Sequence, residues 1–109
     1  MPRPDPVLSG VRLMSDYFAE WPLWVDNINV TADHLGLSPA LARRLWDWER
    51  LFDEHYSHET GWDSEAARAG YASQADALLR DLKTELGPDM ALSLDVWPLG
   101  DLEDSDFND

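Results

Sequence analysis

One helical repeat constrains the fold of this chain more than any other feature. After residue 38 the apolar side chains return at spacings of four, three, four and four residues, which is one face of an α-helix. Ser38 and Pro39 precede the repeat, as expected for an N-cap followed by the first helical position. The sequence therefore predicts a helix from about residue 39 to about residue 57, with an inner face formed by Leu41, Leu45, Trp48, Phe52 and Tyr56.

A second helical segment follows a loop that contains Gly61 and Trp62. Asp63 or Ser64 is a suitable N-cap, and Gly87-Pro88 is a strong stop signal. The sequence predicts a helix between these points, ending at about Leu86. Its predicted inner face contains Tyr71, Ala75, Leu78, Leu82 and Leu86.

Three short strands are predicted around the helices. Residues 11–14 alternate weakly, 23–25 follow Pro22 and suit an edge strand, and 90–97 alternate most clearly. A sheet of two or three strands needs cover, which two helices on one face provide. The predicted fold class is therefore α+β, two long helices packed on a small two- or three-stranded sheet; a mostly helical fold with a minor hairpin is the alternative.

The organisation predicted is one domain over residues 11–99, between a flexible lead-in at 1–10 and an acidic disordered tail at 100–109. The lead-in carries three prolines, and the last nine residues carry five acids and no base. There is no cysteine, no secretory signal pattern and no apolar run of membrane-spanning length. We expect a cytoplasmic location.

Charge limits the kinds of partner. Eight basic residues face 22 acidic ones, giving a formal net charge of −14. Such a surface disfavours direct binding to nucleic acid or to anionic membranes and favours a basic protein partner. The same charge is also explained by solubility alone or by adaptation to high salt.

A small cluster near the end of the first helix raises the question of a metal. His55, His58 and Glu59 are spaced so that one helical turn would bring them together, and zinc helices use similar spacings. The order differs from the H-E-x-x-H pattern, and histidines at a helix C-terminus are favoured there by the dipole alone. We predict no metal, no other cofactor and no catalytic residues.

Candidate partner-binding residues lie on the outer edge of the first helix. Trp46 falls off the apolar face, so it either packs against another element or stands exposed as an interface anchor. The predicted binding residues are Trp46, Asp47, Glu49, Asp53 and Glu54, with Asp63 extending the surface.

Four stretches together resemble a family of small acidic bacterial proteins of unassigned activity. They are DYFAEWPLWV at 16–25, LGLSPALARRLWDWERLFDEH at 35–55, the GW pair at 61–62 and VWPL at 96–99. The resemblance covers about residues 11–99 and brings no functional residues with it. In size and charge the chain is also similar to immunity proteins that neutralise toxins.

Three functions are consistent with these observations. The leading hypothesis is a non-enzymatic binding module, an immunity or inhibitor protein that blocks a basic partner such as a toxin or nuclease. The second is a small metal-dependent enzyme using His55, His58 and Glu59, and the third is a homo-oligomeric structural component. Either a monomer or a homodimer is compatible with the first hypothesis.

Overall fold

The computed structural model describes residues 10–100. The predicted lead-in and acidic tail lie outside the described residues, except for Gly10 and Gly100. Within this range two helices and six strands follow in the order β1 Val11–Met14, β2 Leu23–Val25, β3 Ile28–Asn29, α1 Pro39–His55, β4 Tyr56–Ser57, β5 Gly61–Trp62, α2 Glu65–Leu86 and β6 Leu92–Asp95.

The main sheet has four strands in the order β3-β2-β1-β6. β1 pairs antiparallel with β2 but parallel with β6, with Val11 opposite Leu92. Parallel neighbours need a long crossover connection, and here both helices lie between the two strands in the chain. The predicted α+β class is confirmed, and the sheet is one strand larger than the prediction allowed.

The second strand is not at an edge, so that part of the prediction is wrong. β2 lies between β1 and β3, and a tight hairpin at Asp26-Asn27 makes β3 the outer strand. Both turn residues have positive φ, 53° and 67°, the backbone of a type I′ turn. Asp and Asn tolerate this region better than most residues, which explains the position of the turn.

Both helices begin at the predicted caps. The Ser38 hydroxyl accepts a hydrogen bond from the Leu41 amide at 3.2 Å, and the Ser64 hydroxyl accepts one from the Ala67 amide at 2.9 Å. α1 ends two residues before the predicted end, where the chain enters the small β4–β5 hairpin. α2 ends at the predicted residue, followed by Gly87 with a φ of 95°.

The helices run antiparallel and bury one face of the sheet. Arg44 of α1 pairs with Asp81 of α2 at 2.6 Å, and nearer the hairpin Trp48 stacks on Tyr71 at 4.3 Å between ring centroids. The core residues that meet between the two layers are Val11, Leu13, Leu23, Ala32, Leu41, Leu45, Trp48, Phe52, Tyr71, Ala75, Leu78, Leu82 and Leu99.

The last predicted strand is shorter than expected. β6 stops at Asp95, and a single 3₁₀ turn at Trp97–Leu99 follows it. Trp97 therefore does not project from the sheet, as the strand prediction implied, but packs against Phe52 and Tyr56 at 5.5 and 5.6 Å between ring centroids.

Neither of the two helices described between residues 10 and 100 has the length and apolar character of a membrane span.

Candidate binding surface

The tryptophans mainly hold the fold together. All six are buried or half-buried. Four of them donate their indole N–H to a backbone carbonyl, at 2.6 to 3.1 Å; these are Trp24, Trp48, Trp62 and Trp97. A buried indole needs such an acceptor, so these rings are fixed in place and are not an exposed binding patch.

Trp46 also packs against another element. Its ring meets Trp21 edge-on at 5.2 Å between centroids, and the Arg50 guanidinium lies 4.2 Å from the Trp46 centroid. Of the two roles considered for Trp46, the structure shows packing rather than full exposure. The half-buried ring borders the outer side of α1 and ties it to the segment before β2.

Four of the other predicted binding residues are exposed, and together they are here called the acidic face: Asp47, Asp53, Glu54 and Asp63. The first three lie on α1. Asp63 follows β5, and its carboxylate lies 2.9 Å from His55 Nδ1, which brings it to the end of α1.

Two arginines of α1 lie along the acidic face. Arg43 pairs with Asp47 at 3.4 Å, and Arg50 with Asp53 at 3.1 Å. Partial burial raises the pKa of Asp53; Arg50 opposes this shift and Glu54 adds to it. Exposed ion pairs contribute little to stability, so these carboxylates remain available for interactions with a partner.

Glu49 is not on this surface, and its predicted outer position is wrong. Its side chain is fully buried, and Ser15 and Asp16 lie next to its carboxylate. Burial raises the pKa of Glu49 to about 8; the repulsion from Asp53 adds to this, while Ser15, Arg50 and the Asp16 backbone oppose it. Glu49 is therefore mostly uncharged at neutral pH.

The sequence did contain a signal for this burial. Glu49 follows Leu45 by four residues and precedes Phe52 by three, so it shares their face of the helix.

The histidines do not come together on one helical turn, so that prediction is wrong. α1 ends at His55, and the chain then turns into β4 before it reaches His58. His55 faces Asp63, while His58 meets the Tyr17 ring edge-on at 6.2 Å and lies 4.0 Å from Glu59. Among residues 10–100 no group of three or more ligand side chains is placed to hold a metal ion.

A turn between β1 and β2 supplies a surface feature that the sequence analysis missed. Phe18 at its tip is 102% exposed, while the neighbouring Tyr17 packs on Phe52 at 5.4 Å between ring centroids. Arg50 donates to the carbonyls of Ala19 and Glu20, so the turn lies beside the acidic face. An exposed aromatic side chain near exposed carboxylates is suited to binding another protein.

The comparisons with known proteins agree with a binding function. Residues 9–94 match a family model described as Serratia CdiI immunity protein-like. The matched range contains both helices and the whole four-stranded sheet except its final residue. No curated protein matches the chain.

Proposed function

Because the chain belongs to the Serratia CdiI immunity protein-like family, we propose that it neutralises a toxin by binding to it. The family match over residues 9–94 is the observation that carries this proposal. The protein acts as an inhibitor rather than as an enzyme, in the cytoplasm, where it meets its toxin as a folded partner.

The toxin carries a basic surface, and the acidic face docks on it. The net charge of −14 attracts a basic protein from a distance, and exposed carboxylates then set the orientation of the encounter. Inhibition is steric and electrostatic. The acidic face covers a basic groove, such as the substrate channel of a nuclease, and competes with the anionic substrate for it.

Within the acidic face, Glu54 is the carboxylate best placed to meet a cation on the toxin. It is exposed, and it forms no ion pair with any described residue, whereas Asp47 and Asp53 each have an arginine beside them. Charge reversal at Glu54 therefore changes the attraction for a partner without breaking an ion pair within the fold.

The toxin can be sought among neighbouring genes. Reading frames beside the gene are expressed singly in a bacterial host, and those that arrest growth are co-expressed with this protein. We expect one of them to be neutralised and to form a complex with the purified protein. If no toxic neighbour is neutralised, the proposed function is wrong.

The acidic face is tested on that complex by binding kinetics at low and at physiological salt. Glu54→Lys should slow association about three- to tenfold at low salt, and less when salt screens the charges. Asp76→Lys is the matched control, since Asp76 is also exposed but lies on α2. Equal effects of the two variants, or association that does not depend on salt, would exclude the acidic face as the docking surface.

A further inference from the structure

The tip of the β1–β2 loop has an unfavourable residue for its backbone. The Ala19 amide donates to the Asp16 carbonyl at 3.3 Å, which closes a four-residue turn. Phe18 is the third residue of that turn and has a φ of 66°, the pattern of a type II turn. Gly or Asn is usual at this position, and a bulky side chain there is strained.

Phe18 gains nothing from the fold in return for that strain. Its side chain is 102% exposed and has no ring contact with any other residue between 10 and 100, although its neighbour Tyr17 packs on both Phe52 and Trp97. An exposed phenyl ring buries no apolar surface, so nothing in the fold offsets the strain of its backbone. A glycine would therefore suit the free protein better.

The turn beneath Phe18 is held rigidly. Ser15 before it is fully buried, and its hydroxyl and carbonyl accept hydrogen bonds from Tyr71 and Trp97 at 2.8 and 2.6 Å. After it, Arg50 donates to the Ala19 carbonyl at 3.3 Å and to the Glu20 carbonyl at 3.0 Å. A ring presented on a fixed turn loses little conformational entropy when it binds, because the backbone is already ordered.

We infer that Phe18 is the apolar anchor of the complex and enters a pocket on the surface of the toxin. This inference rests on the proposed function and identifies the residue that holds the toxin once it is bound. The turn already presents the ring in the conformation that the bound state uses, so the turn does not rearrange on binding. Burial of the phenyl ring in the toxin supplies the stabilisation that the free protein lacks.

Charge complementarity indicates what surrounds the pocket. Asp16 and Glu20 flank the turn in the sequence, and Arg50 contacts both the Glu20 carbonyl and the Asp53 carboxylate. The ring therefore projects from a turn that has an acidic residue on each side in the sequence and that Arg50 joins to the Asp53 end of the acidic face. The matching pocket on the toxin is apolar inside and bordered by lysine or arginine side chains.

Truncation of the ring tests the anchor on the complex with the neutralised toxin. Phe18→Ala should raise the Kd about 30-fold or more, mainly through faster dissociation, as is typical of a central interface residue. Phe18→Trp, which keeps a large aromatic ring, should retain most of the affinity. Ile28→Ala is the matched control, because Ile28 is also exposed, at 64%, but lies on the edge strand β3.

Folding of the variants separates an anchor from a structural residue. Circular dichroism and the Tm should be unchanged in Phe18→Ala, and Phe18→Gly should raise the Tm because glycine relieves the positive φ. A Tm lowered by several degrees in both variants would assign Phe18 to the fold and overturn the inference.

Two other outcomes distinguish this inference from the proposed function. If the wild-type protein and Phe18→Ala neutralise and bind the toxin equally well, the anchor is wrong while the immunity function stands. If light scattering shows a homodimer that Phe18→Ala abolishes, the ring serves contact between copies and the inference is also overturned.

Discussion

Replacement of the buried Glu49 by glutamine should stabilise the protein, and more so as the pH rises. Glu49 has an ordinary pKa of 4.5 when exposed, and burial raises the pKa to about 8 in the fold. Between these values the unfolded chain carries the charge while the folded protein keeps the proton, so unfolding releases a proton. The wild-type protein therefore loses stability from about pH 4.5 to about pH 8, whereas glutamine has no proton to release.

The size of the effect follows from the same interval. Each pH unit over which one proton is released on unfolding changes the free energy of unfolding by about 1.4 kcal/mol. The dependence of stability on pH becomes less steep near the pKa of the folded state. The free energy of unfolding of Glu49→Gln, relative to the wild-type protein, should therefore rise by about 3 kcal/mol between about pH 5 and about pH 8. Any constant difference in packing between the acid and the amide cancels in this comparison.

Urea unfolding of both proteins at several pH values measures the advantage directly. Glu54→Gln is the matched control, because it makes the same chemical change on the exposed side of α1. The difference in free energy of unfolding between Glu54→Gln and the wild-type protein should vary little with pH. A Glu49→Gln advantage that stays flat across this range would mean that Glu49 is ionised in the folded protein, and the reasoning from its burial would be refuted.

Two further predictions concern the interior and the histidines. Ser15→Ala removes the acceptor of the Tyr71 hydroxyl, 2.8 Å away, and should cost about 1–3 kcal/mol of stability. In urea unfolding, the double variant Ser15→Ala/Tyr71→Phe should lose less stability than the two single variants together. Strictly additive losses would contradict a stabilising hydrogen bond between the two side chains. A chelator should leave the Tm unchanged, because His55 and His58 face different partners. A shift of several degrees that zinc reverses would overturn this expectation.

The helices could be predicted from the sequence because their signals are local. Ser38 and Ser64 satisfy free amides at the helix starts, and the apolar spacing defines the inner faces. β3, β4 and β5 were missed because each has two residues, too few to show a period of two. Their pairing depends on tertiary contacts and turns, as does the inner position of β2.

The positions of the candidate binding residues were predicted only in part, for a different reason. Helical spacing was enough to place Asp47, Asp53 and Glu54 on the outer side of α1. The burial of Glu49 was missed because its charge outweighed its spacing in the prediction. The exposure of Phe18 had no sequence signal, since an aromatic residue in the segment DYFAEWPLWV predicts burial.

The parallel pairing of β1 with β6 also has a consequence for the order of events during synthesis. Ser15, just after β1, accepts the indole N–H of Trp97, 82 positions later. β1, an inner strand, therefore lacks its parallel neighbour β6 until almost the whole described chain has been made, and contacts so distant in sequence slow folding. Under the proposed function, a newly made copy binds its toxin only after that last strand is in place.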